Sequence, residues 1–436
     1  MKPLESFFHL EKHQASVSRE VIAGLTTFAT MSYIIVVNPA ILSTAGIPAG
    51  PGFVATVVAA VFGCLLMGLY ANRPFAVAPY MGENAFIAYT VCLQLGYKWQ
   101  TALAAIFIAG VLFVLATVLR LRQWVVDAVP LSLRYSFGAG IGLFLTFIGL
   151  NQTGIVALGV AGAPVRPGHI TSGPVLVAIA GFVLLSVLVI RRIPGAILLG
   201  ILITAAIAFL AGIAHPPQHL VSLPPSLKPL LWQLDLGGAL TWHAFPIVLT
   251  IFIMAFVDTM GTLFGLSSRA GFLDENGNLP QIERPMLADA LTTCLSPAIG
   301  TTTAGAFVES ATGIEAGGRT GLTALVVAGC FALSLFFAPL FTAVPGQAYG
   351  PALILVGLFM LEPVARIDFR DPTESIPAFA VVSLMCFTFN IAIGITAGLV
   401  LYPFSKIVAG KRTQVKPGMW ALAAVSLLFF VFYPYG

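Results

Sequence analysis

Residues 75–91 read FAVAPYMGENAFIAYTV, an apolar stretch that Pro79 and Gly82 interrupt just before a short helical segment. Residues 301–317, TTTAGAFVESATGIEAG, are interrupted in the same way by Thr and Gly residues. At membrane depth, broken backbone is tolerated only where it lines a cavity. Interrupted segments at matching places in the two halves of a chain indicate a binding site near the midplane, and we expect a half-helix to begin there in each half.

The sequence around these two segments is strongly apolar. Of its 436 residues, 58% are hydrophobic and 9% are charged, and the mean hydropathy is +0.97, whereas a soluble domain has about 25% charged residues. Because the apolar runs are long enough to cross a bilayer, this composition predicts an all-α polytopic membrane protein. The last apolar stretch, 418–434, is left open between a further span and a surface helix. The fourteen predicted spans are 20–42, 52–71, 79–94, 99–119, 133–151, 173–190, 194–213, 245–268, 286–299, 306–317, 320–339, 346–362, 375–389 and 391–409.

The predicted spans divide into two sets of seven around a polar loop. Because seven is odd, the second set begins on the opposite face, which is the arrangement of an inverted repeat in alternating-access carriers. Short sequence echoes at a nearly constant offset support the repeat: STAG at 43–46 matches SRAG at 268–271, and GENA at 82–85 matches VESA at 308–311. The predicted divisions are an N-terminus at 1–19, a first repeat at 20–213, a loop at 214–244, a second repeat at 245–410 and a C-terminal segment at 411–436.

The basic residues predict the orientation of the chain. With the N-terminus inside, 18 Lys and Arg residues fall on the inner side and 3 on the outer side. Basic residues resist translocation, so this asymmetry predicts a protein of the inner or plasma membrane with a cytoplasmic N-terminus. The formal net charge of +4 is distributed over the inner loops, which argues against a nucleic-acid partner. The polar residues 1–14 lack an apolar core and do not resemble a signal peptide.

Several chemical classes find no support in the sequence. The five Cys residues lie within apolar runs, which argues against a disulfide framework or a zinc site. No GxxxxGK[ST] motif is present, which disfavours an ATP-driven pump. We therefore expect no metal and no cofactor, and we do not expect an enzyme. All six His residues lie outside the predicted spans, so any proton coupling must use carboxylates.

Acidic residues within apolar surroundings are the main functional candidates. A carboxylate at a helix centre costs roughly 2.5–3.5 kcal/mol on insertion scales, so it normally has a function. Asp258 lies at the centre of IVLTIFIMAFVDTMGTLFGL (247–266), and the structural alternative is that it caps the hydroxyl of Thr262 one turn later. Glu309 opens the second half-helix, where the helix dipole favours its charge, and the alternative there is an ordinary capping acid. The five candidates are Glu83, Asp258, Asp289, Glu309 and Glu315.

The other candidate acids differ in their sequence surroundings. Glu83 occupies the mirror position at the tip of the first half-helix and has Asn84 beside it. Asp289 is close to the start of its predicted span, and Glu315 can pair with Arg319 one turn later. We therefore expect Asp289 and Glu315 to be structural.

Six stretches follow patterns that occur together in one family: TTFATMSYIIVVNPAIL (26–42), MGENAFIAYTV (81–91), FVDTMGTLFGL (256–266), AGFLDENGNLP (270–280), LADAL (287–291) and ESATGIEAGGRTGLTAL (309–325). Looser similarity extends along the whole chain and includes DPTESIPAF at 371–379. On these residues the sequence resembles the AzgA-like purine permeases, the adenine/guanine/hypoxanthine branch of the nucleobase–cation symporter-2 group.

The resemblance implies both a fold and a transport activity. The fold has fourteen segments in two inverted sevens, with a core domain and a gate domain, and its third and tenth spans each contribute a short strand and a half-helix. The activity is proton-coupled uptake of adenine, guanine or hypoxanthine across a lipid bilayer, and relatives with this fold are often homodimers. Asp258 matches the family's eighth-span carboxylate, Glu309 its tenth-span glutamate and Asn84 its third-span asparagine. The first two are implied to be the main base-binding and proton-coupling acids.

The expected site combines carboxylates with a half-helix tip. We expect Glu309 and the N–H groups of residues 309–311 to bind the edge of a purine, because a dry site must satisfy both its donors and its acceptors. Asp258 is expected to be the main proton-coupling group. The rings of Phe28 and Phe86 could stack on a flat base, as could those of Tyr33 and Phe307, and lipid or core packing is the alternative for each. The predicted substrate-binding residues are Phe28, Glu83, Asn84, Phe86, Asp258, Thr262, Glu309 and Ser310.

Glu83 departs from the family pattern, which usually has an apolar residue at this position. The additional acid could alter proton stoichiometry, base preference or only local packing. We expect Glu83 and Glu309 to face one cavity, where two carboxylates in low dielectric would retain a proton between them. The alternative is that Glu83 points away and bonds to a neighbouring group. The preferred purine and the choice between H⁺ and Na⁺ are left open by the sequence.

Two other functions compete with purine uptake. An anion transporter of the sulfate or bicarbonate type on a related fold predicts a basic or neutral site, whereas the candidate site here is acidic. A channel would not account for two half-helices. An intramembrane protease would need a Ser/His, di-Asp or His/Glu metal set at depth, and His is absent from the predicted spans.

Overall fold

The computed structural model describes residues 2–119, 128–160, 163–274 and 279–432. Within these residues, nine helical stretches have at least 18 residues and are apolar enough to cross a membrane, and three shorter apolar helices accompany them. The helices are α1 (Lys2–Phe8), α2 (Val17–Met31), α3 (Ile34–Thr44), α4 (Ala49–Leu65), α5 (Met81–Ala85), α6 (Trp99–Val118), α7 (Leu131–Gln152), α8 (Gly173–Ile190), α9 (Ala196–Leu210), α10 (Leu236–Ala239), α11 (Phe245–Ala270), α12 (Glu283–Ala298), α13 (Ser310–Glu315), α14 (Gly321–Ser334), α15 (Ala338–Thr342), α16 (Gly346–Met360), α17 (Pro372–Phe387), α18 (Ile391–Val408) and α19 (Pro417–Phe432).

The predicted order of fourteen segments is confirmed, with some internal structure that the sequence did not predict. The first span consists of two helices, α2 and α3, and α4 continues as a π-helix over Leu66–Tyr70. The third span is a strand, β1 (Val77–Pro79), followed by α5 and a π-helix over Phe86–Gln94. The loop after α7 forms an unpredicted hairpin of β2 (Val156–Val160) and β3 (Ala163–Pro167). The tenth span is a strand, β4 (Ala304–Ala306), followed by α13.

A two-stranded antiparallel ribbon joins the two halves of the chain at the centre of the fold. β1 pairs with β4, with Val77 opposite Ala306 and Pro79 opposite Ala304. Since an isolated two-stranded ribbon is only marginally stable, neighbouring helices must support it. Because the strands are antiparallel, α5 and α13 leave the ribbon in opposite directions, which produces the inverted arrangement of the half-helices.

Side chains from α4 and α12 hold the ribbon in place. The thiol of Cys64 contacts both the N–H and the carbonyl group of Val77, at 3.2 and 3.3 Å. On the other strand, the carboxylate of Asp289 accepts a hydrogen bond from the N–H of Ala306 at 3.0 Å, and the Thr293 hydroxyl donates to the carbonyl of Ala304 at 2.9 Å. Cys64 and Asp289 are related by the same offset as STAG and SRAG, so the two repeats use equivalent positions with different chemistry.

Glycine permits close approach at the centre of the ribbon. A Cβ on Gly305 would overlap the hydroxyl oxygen of Tyr80, at a separation that real Cβ atoms do not show. With only hydrogen at that position, the Tyr80 ring fits over β4 and stacks nearly parallel to Phe307, with ring centroids 6.2 Å apart. Gly305 is therefore required by the packing of the ribbon.

Two groups of helices pack around and beside the ribbon. One group places α6 against α12 and α14 against both α2 and α4, and the other places α7 along α16 and α17 along α18. Small residues let membrane helices approach closely, and the α7–α16 contact depends on this at Gly142 and Gly149, where added Cβ atoms would lie 2.6 and 2.7 Å from backbone carbonyls of α16. This grouping agrees with the predicted core and gate domains.

Two further acids, Glu20 and Asp235, make hydrogen bonds that join distant segments of the chain. Glu20 in α2 is fully buried, and it accepts hydrogen bonds from the N–H groups that begin α14 and from the Thr323 hydroxyl at 2.5 Å. Asp235 accepts from the Thr101 hydroxyl of α6 at 2.7 Å and from the N–H of Gly238 at 3.0 Å. These two hydrogen bonds, first that of Gly238, lower the pKa of Asp235 below its ordinary value.

A buried cation holds α18 against α17. Lys406 is 2% exposed and lies 2.6 Å from a carboxylate oxygen of Glu374, whose other oxygen accepts a hydrogen bond from Ser132 of α7 at 2.5 Å. At the start of α17, the Lys411 ammonium contacts Asp371 at 2.8 Å and lowers the pKa of that carboxyl. These contacts connect three helices of the second group. From the sequence, we had placed both Lys residues on the inner side of the membrane.

Candidate functional site

The two half-helices begin directly after the ribbon strands. α5 starts at Met81, two residues after β1, and α13 starts at Ser310, four residues after β4. Each chain segment therefore changes from extended to helical structure at the crossing point of the repeats. The acids Glu83 and Glu309 lie at these two tips, as the sequence predicts.

Glu309 is held by a tyrosine of the first span. The Tyr33 hydroxyl donates a hydrogen bond to Oε1 of Glu309 at 2.8 Å. Glu309 is half-buried, and its side chain makes no capping hydrogen bond to α13. The alternative that Glu309 is an ordinary N-terminal capping acid is therefore wrong.

The N–H groups at the tip of α13 are already used within the chain. The N–H of Ser310 donates to the carbonyl of Phe307, and that of Ala311 donates to Val308, both at 3.0 Å. The Ser310 hydroxyl accepts from the N–H of Ala76 at 2.9 Å and so ties α13 to the segment before β1. The structure thus contradicts the expectation that the N–H groups of 310 and 311 are free for a base.

Asp258 lies in the middle of α11 beside the ribbon. It is half-buried, and none of the side-chain hydrogen bonds within the described residues involves its carboxylate. The Thr262 hydroxyl one turn later is also half-buried and makes no hydrogen bond to Asp258. The structural alternative for Asp258, a bond to Thr262, is therefore not observed.

Glu83 is buried at the tip of α5, a helix that packs directly against α11. It is 2% exposed, and the Thr303 hydroxyl, immediately before β4, donates a hydrogen bond to its Oε2. Its Oε1 has no partner within the described part of the chain. The helix α11, which carries Asp258, packs against α5. We had expected Glu83 to share a proton with Glu309, but Glu309 is bonded to Tyr33.

Asn84 belongs to a buried amide and hydroxyl network behind the site. Its Nδ2 donates to Oδ1 of Asn38, whose own Nδ2 donates to the hydroxyls of Thr56 at 2.7 Å and Thr301 at 3.0 Å. The Oδ1 of Asn84 has no partner within the described residues. Through this network Asn84 connects α5 to α3, α4 and the segment before β4.

The two predicted aromatic residues are both packed against the protein. The Phe28 ring meets Phe331 edge-on with centroids 5.2 Å apart, and Phe86 is 1% exposed. The stacked pair of Tyr80 and Phe307 lies closer to the carboxylates, since the Tyr80 hydroxyl is 3.2 Å from Oγ1 of Thr259, the residue after Asp258. The core-packing alternative thus describes Phe28 and Phe86 in this structure.

Two expectations about the remaining acids have different outcomes. Asp289 has a structural contact, the hydrogen bond from Ala306 in β4. Glu315 does not pair with Arg319; it forms an exposed ion pair with Arg269 at 3.1 Å. The guanidinium of Arg319 instead donates to the carbonyls of Ile314 and Gly318, at 2.6 and 2.7 Å, so the i+4 spacing alone did not identify the partner.

The repeat relates the acid pairs to each other. Tyr33 and Asp258 are related by the offset that relates STAG to SRAG, and Glu83 and Glu309 occupy the same place in the GENA and VESA echoes. The pair of Tyr33 and Glu309 is thus equivalent to the pair of Asp258 and Glu83. Each pair takes one residue from each repeat. Sequence reasoning left Thr303 out of the site and considered Tyr33 only as a ring that could stack on a base, not as a hydrogen-bond donor. Applying the repeat offset to Asp258 would have identified Tyr33.

Unpaired polar atoms collect at this crossing. Within the described residues, eight buried side-chain N or O atoms lack a hydrogen-bond partner, and three of them are Oε1 of Glu83, Oδ1 of Asn84 and Oγ1 of Thr302. Since buried polar atoms are nearly always bonded, such a cluster indicates a place where a polar ligand or water completes the site. No group of three or more His, Cys, Asp or Glu residues suited to a metal ion occurs in the part of the chain that the structure describes.

Comparison with known proteins shows that this chain is similar to transport proteins. Residues 18–397 match the family model Xan_ur_permease, which is described as a permease family. The chain is 44% identical over 432 residues to the putative permease MJ0326 of Methanocaldococcus jannaschii, with 99% of both chains covered.

Two further similar proteins carry names that state a substrate. The chain is 38% identical to the adenine permease AdeP of Escherichia coli K12, covering 98% of this chain and 96% of the relative. It is 39% identical to the guanine/hypoxanthine permease PbuO of Bacillus subtilis, covering 97% of this chain and 99% of the relative. These alignments extend over both repeats.

Solved structures share the fold at low sequence identity. The transmembrane domain of the cyanobacterial bicarbonate transporter BicA superposes with a TM-score of 0.64 at 16% identity, covering 87% of this chain and 97% of that domain. The structure of SLC26A9 gives a TM-score of 0.66 at 11% identity, covering 92% of this chain and 66% of that protein. At these identities the likeness supports the inverted-repeat fold alone.

Proposed function

The chain belongs to the permease family, as a multi-pass membrane transporter and not an enzyme, and from this premise we propose that it imports purine nucleobases by proton symport. The observation that carries the proposal is the half-buried carboxylate of Asp258, which makes no side-chain hydrogen bond within the described residues and lies on a helix that packs against both half-helices. A titratable group at membrane depth without a partner is suited to exchange a proton. The inverted repeat supplies the alternating access that such exchange requires.

The substrate class rests on similar proteins and on the chemistry of the site. AdeP is named for adenine and PbuO for guanine and hypoxanthine, and both align over nearly the whole chain. Purines present N–H donors and ring-nitrogen or carbonyl acceptors on one flat molecule. Because Tyr33 occupies only Oε1 of Glu309, the second oxygen is available to accept from a purine N–H.

The setting of the protein in the cell is inferred from the sequence. We place it in the cell membrane with a cytoplasmic N-terminus, because 18 of 21 basic residues then lie on the inner side. Apolar side chains along α8 are exposed in the single chain, among them Val183 at 55% and Ile190 at 79%. Such a face fits contact with lipid or with a second copy in a homodimer.

Uptake by purified protein in liposomes tests this function. Radiolabelled adenine, guanine and hypoxanthine are offered under an inward proton gradient, under the same gradient with a proton ionophore, and under a sodium gradient alone. We expect at least one base to be concentrated under the proton gradient and the concentration to disappear with ionophore. If only the sodium gradient drives accumulation, the coupling ion is Na⁺ and not H⁺. If none of the purines is taken up, the proposal is overturned.

Anion transport, the competing function on this fold, is tested in the same liposomes. Glu83, Asp258 and Glu309 make the candidate site acidic, and an anion would have to approach three carboxyl groups. We therefore expect neither labelled sulfate nor labelled bicarbonate to enter faster than into protein-free liposomes.

A further inference from the structure

We propose that Glu83 and Asp258 form a carboxyl pair that shares one proton in the base-free protein, with the free oxygen of Glu83 as the hydrogen-bond donor to a base. This inference rests on the proposed function and deepens it, because it assigns the donor half of the site and the place where the coupled proton is held. It concerns the position at which this sequence departs from the pattern of the family it resembles.

The hydrogen bonds of Glu83 determine which oxygen carries the proton. Its Oε2 accepts from the Thr303 hydroxyl, whereas Oε1 is buried and has no partner within the described residues. Asp258 lies at the repeat position equivalent to Tyr33, whose hydroxyl bonds Glu309, and its helix α11 packs against α5. The shared proton therefore lies between Oε1 of Glu83 and the carboxylate of Asp258, which makes no side-chain hydrogen bond within the described residues. The proton moves from one oxygen to the other without changing the total charge of the pair.

Within the described part of the chain, no Lys, Arg or His acts on either acid. Asp258 is the charged group that acts on Glu83, and the other titratable groups near the pair are Tyr80 and Asp289. Tyr80 contacts Thr259, and Asp289 is bonded to the N–H of Ala306. Two carboxylates in a medium of low dielectric cannot both ionise cheaply, so the pair holds one proton and titrates as a unit.

The equivalent pair in the other half explains why the two tips act differently. Glu309 accepts a hydrogen bond from the Tyr33 hydroxyl, so this tip already acts as an acceptor within the protein. At the position equivalent to Tyr33, the second repeat has Asp258, which is an acid. Glu309 is thus an acceptor for N–H groups, and the Glu83–Asp258 pair is a donor for a ring nitrogen or a carbonyl oxygen.

Infrared difference spectroscopy on the purified full chain detects the shared proton directly. The C=O stretching band of a protonated carboxyl is compared at neutral pH between wild type and the variants Glu83→Gln and Asp258→Asn. With a shared proton, either substitution shifts the band away from its wild-type position or removes it, because the proton no longer bridges two carboxyl groups. The matched control is Glu315→Gln, an exposed acid paired with Arg269, which leaves the band unchanged.

Each result of the spectroscopic comparison is decisive. Loss or shift of the same band in both variants supports the pair. Loss or shift in only one variant means that this residue is protonated by itself, and an unchanged band in both means that neither carries the proton, so either result overturns the proposal.

Binding by Glu83 variants tests the donor role. Glu83→Gln retains a donor group, whereas Glu83→Leu removes it, so we expect purine affinity to fall about tenfold more in the Leu variant than in the Gln variant. Equal affinities in the two variants would overturn the donor role. Thermal unfolding and gel filtration of both variants establish that the comparison is between folded proteins.

A liposome experiment separates failure of this inference from failure of the proposed function. If wild type does not concentrate a purine under a proton gradient, proton symport fails, while the infrared comparison still decides whether the pair exists. If wild type concentrates the base and Glu83→Leu does so with unchanged base preference and unchanged pH profile, symport stands and the role of Glu83 is overturned.

Discussion

The two half-helix tips occupy equivalent positions in the inverted repeat and carry the same residue, yet their partners differ. Glu309 at the second tip is bonded to Tyr33, and Glu83 at the first tip lies beside Asp258. A hydroxyl group donates to the acid at one tip, whereas a second acid occupies the equivalent position at the other. In our proposal, this difference at one repeat position gives the site an acceptor side and a donor side.

The largest expected effect comes from removing the carboxyl group of Glu309 at the second tip. In Glu309→Gln, the NH2 group of the new amide repels the N–H donors of a purine. Its oxygen is also a weaker acceptor than a carboxylate for the Tyr33 hydroxyl. We expect base affinity to fall about 100-fold, or about 2.7 kcal/mol. Equilibrium binding of a labelled purine to purified protein measures this. A well-folded Glu309→Gln with wild-type affinity would remove Glu309 from the site.

The next largest effect separates binding from coupling. Asp258→Asn cannot release a proton, so we expect concentrative uptake to be abolished while exchange of labelled for unlabelled base continues. Counterflow in liposomes without a gradient measures exchange, and uptake under a proton gradient measures accumulation. Normal accumulation by this variant would assign the coupling to a different residue and make the two tips functionally alike.

A smaller effect follows from weakening the Tyr33–Glu309 pair without removing its charge. Tyr33→Phe deletes one hydrogen bond worth about 1 kcal/mol, so we expect roughly a fivefold loss of purine affinity. The pH profile of uptake should stay close to that of wild type, because the coupling pair is in the other half of the site. A large change in that profile would show that Tyr33 and Glu309 also take part in coupling.

The smallest effect concerns the hydroxyl that orients Glu83. Thr303→Val keeps the shape of the side chain and removes the donor to Oε2. We expect purine affinity to fall only about two- to threefold, within the range of one neutral hydrogen bond. Purine binding by Thr303→Val is measured together with that by Tyr33→Phe, which is the equivalent change at the other tip. A loss much larger than that of Tyr33→Phe would mean that the donor side dominates recognition.

The sequence predicted the elements of the fold better than it predicted their partners. Span order, the two interrupted segments and the acids at their tips all follow from hydropathy and residue type, which are local properties. The bond from Tyr33 to Glu309 joins distant parts of the chain, and only the three-dimensional crossing of the repeats creates it. The i+4 rule that suggested Arg319 as the partner of Glu315 failed for the same reason, because Arg269 of another helix lies closer.

The free N–H groups expected at the second tip illustrate a different limit. Sequence reasoning assumed that a half-helix leaves its first donors unsatisfied. In the structure, residues 307–312 form tight turns, so the carbonyls of Phe307 and Val308 accept those N–H groups before a ligand can. Such local backbone geometry depends on the ribbon that precedes the helix, and residue types alone do not encode it.

The central ribbon also constrains how the protein can be made. When β1 leaves the ribosome, its pairing partner at Ala304–Ala306 belongs to the other repeat and is still far from synthesis, and so is the helix whose N-terminus Glu20 must cap. During that interval the first repeat carries unsatisfied backbone and a buried acid in a setting that tolerates neither. We therefore expect the first half to complete its packing only after the second half has been synthesised.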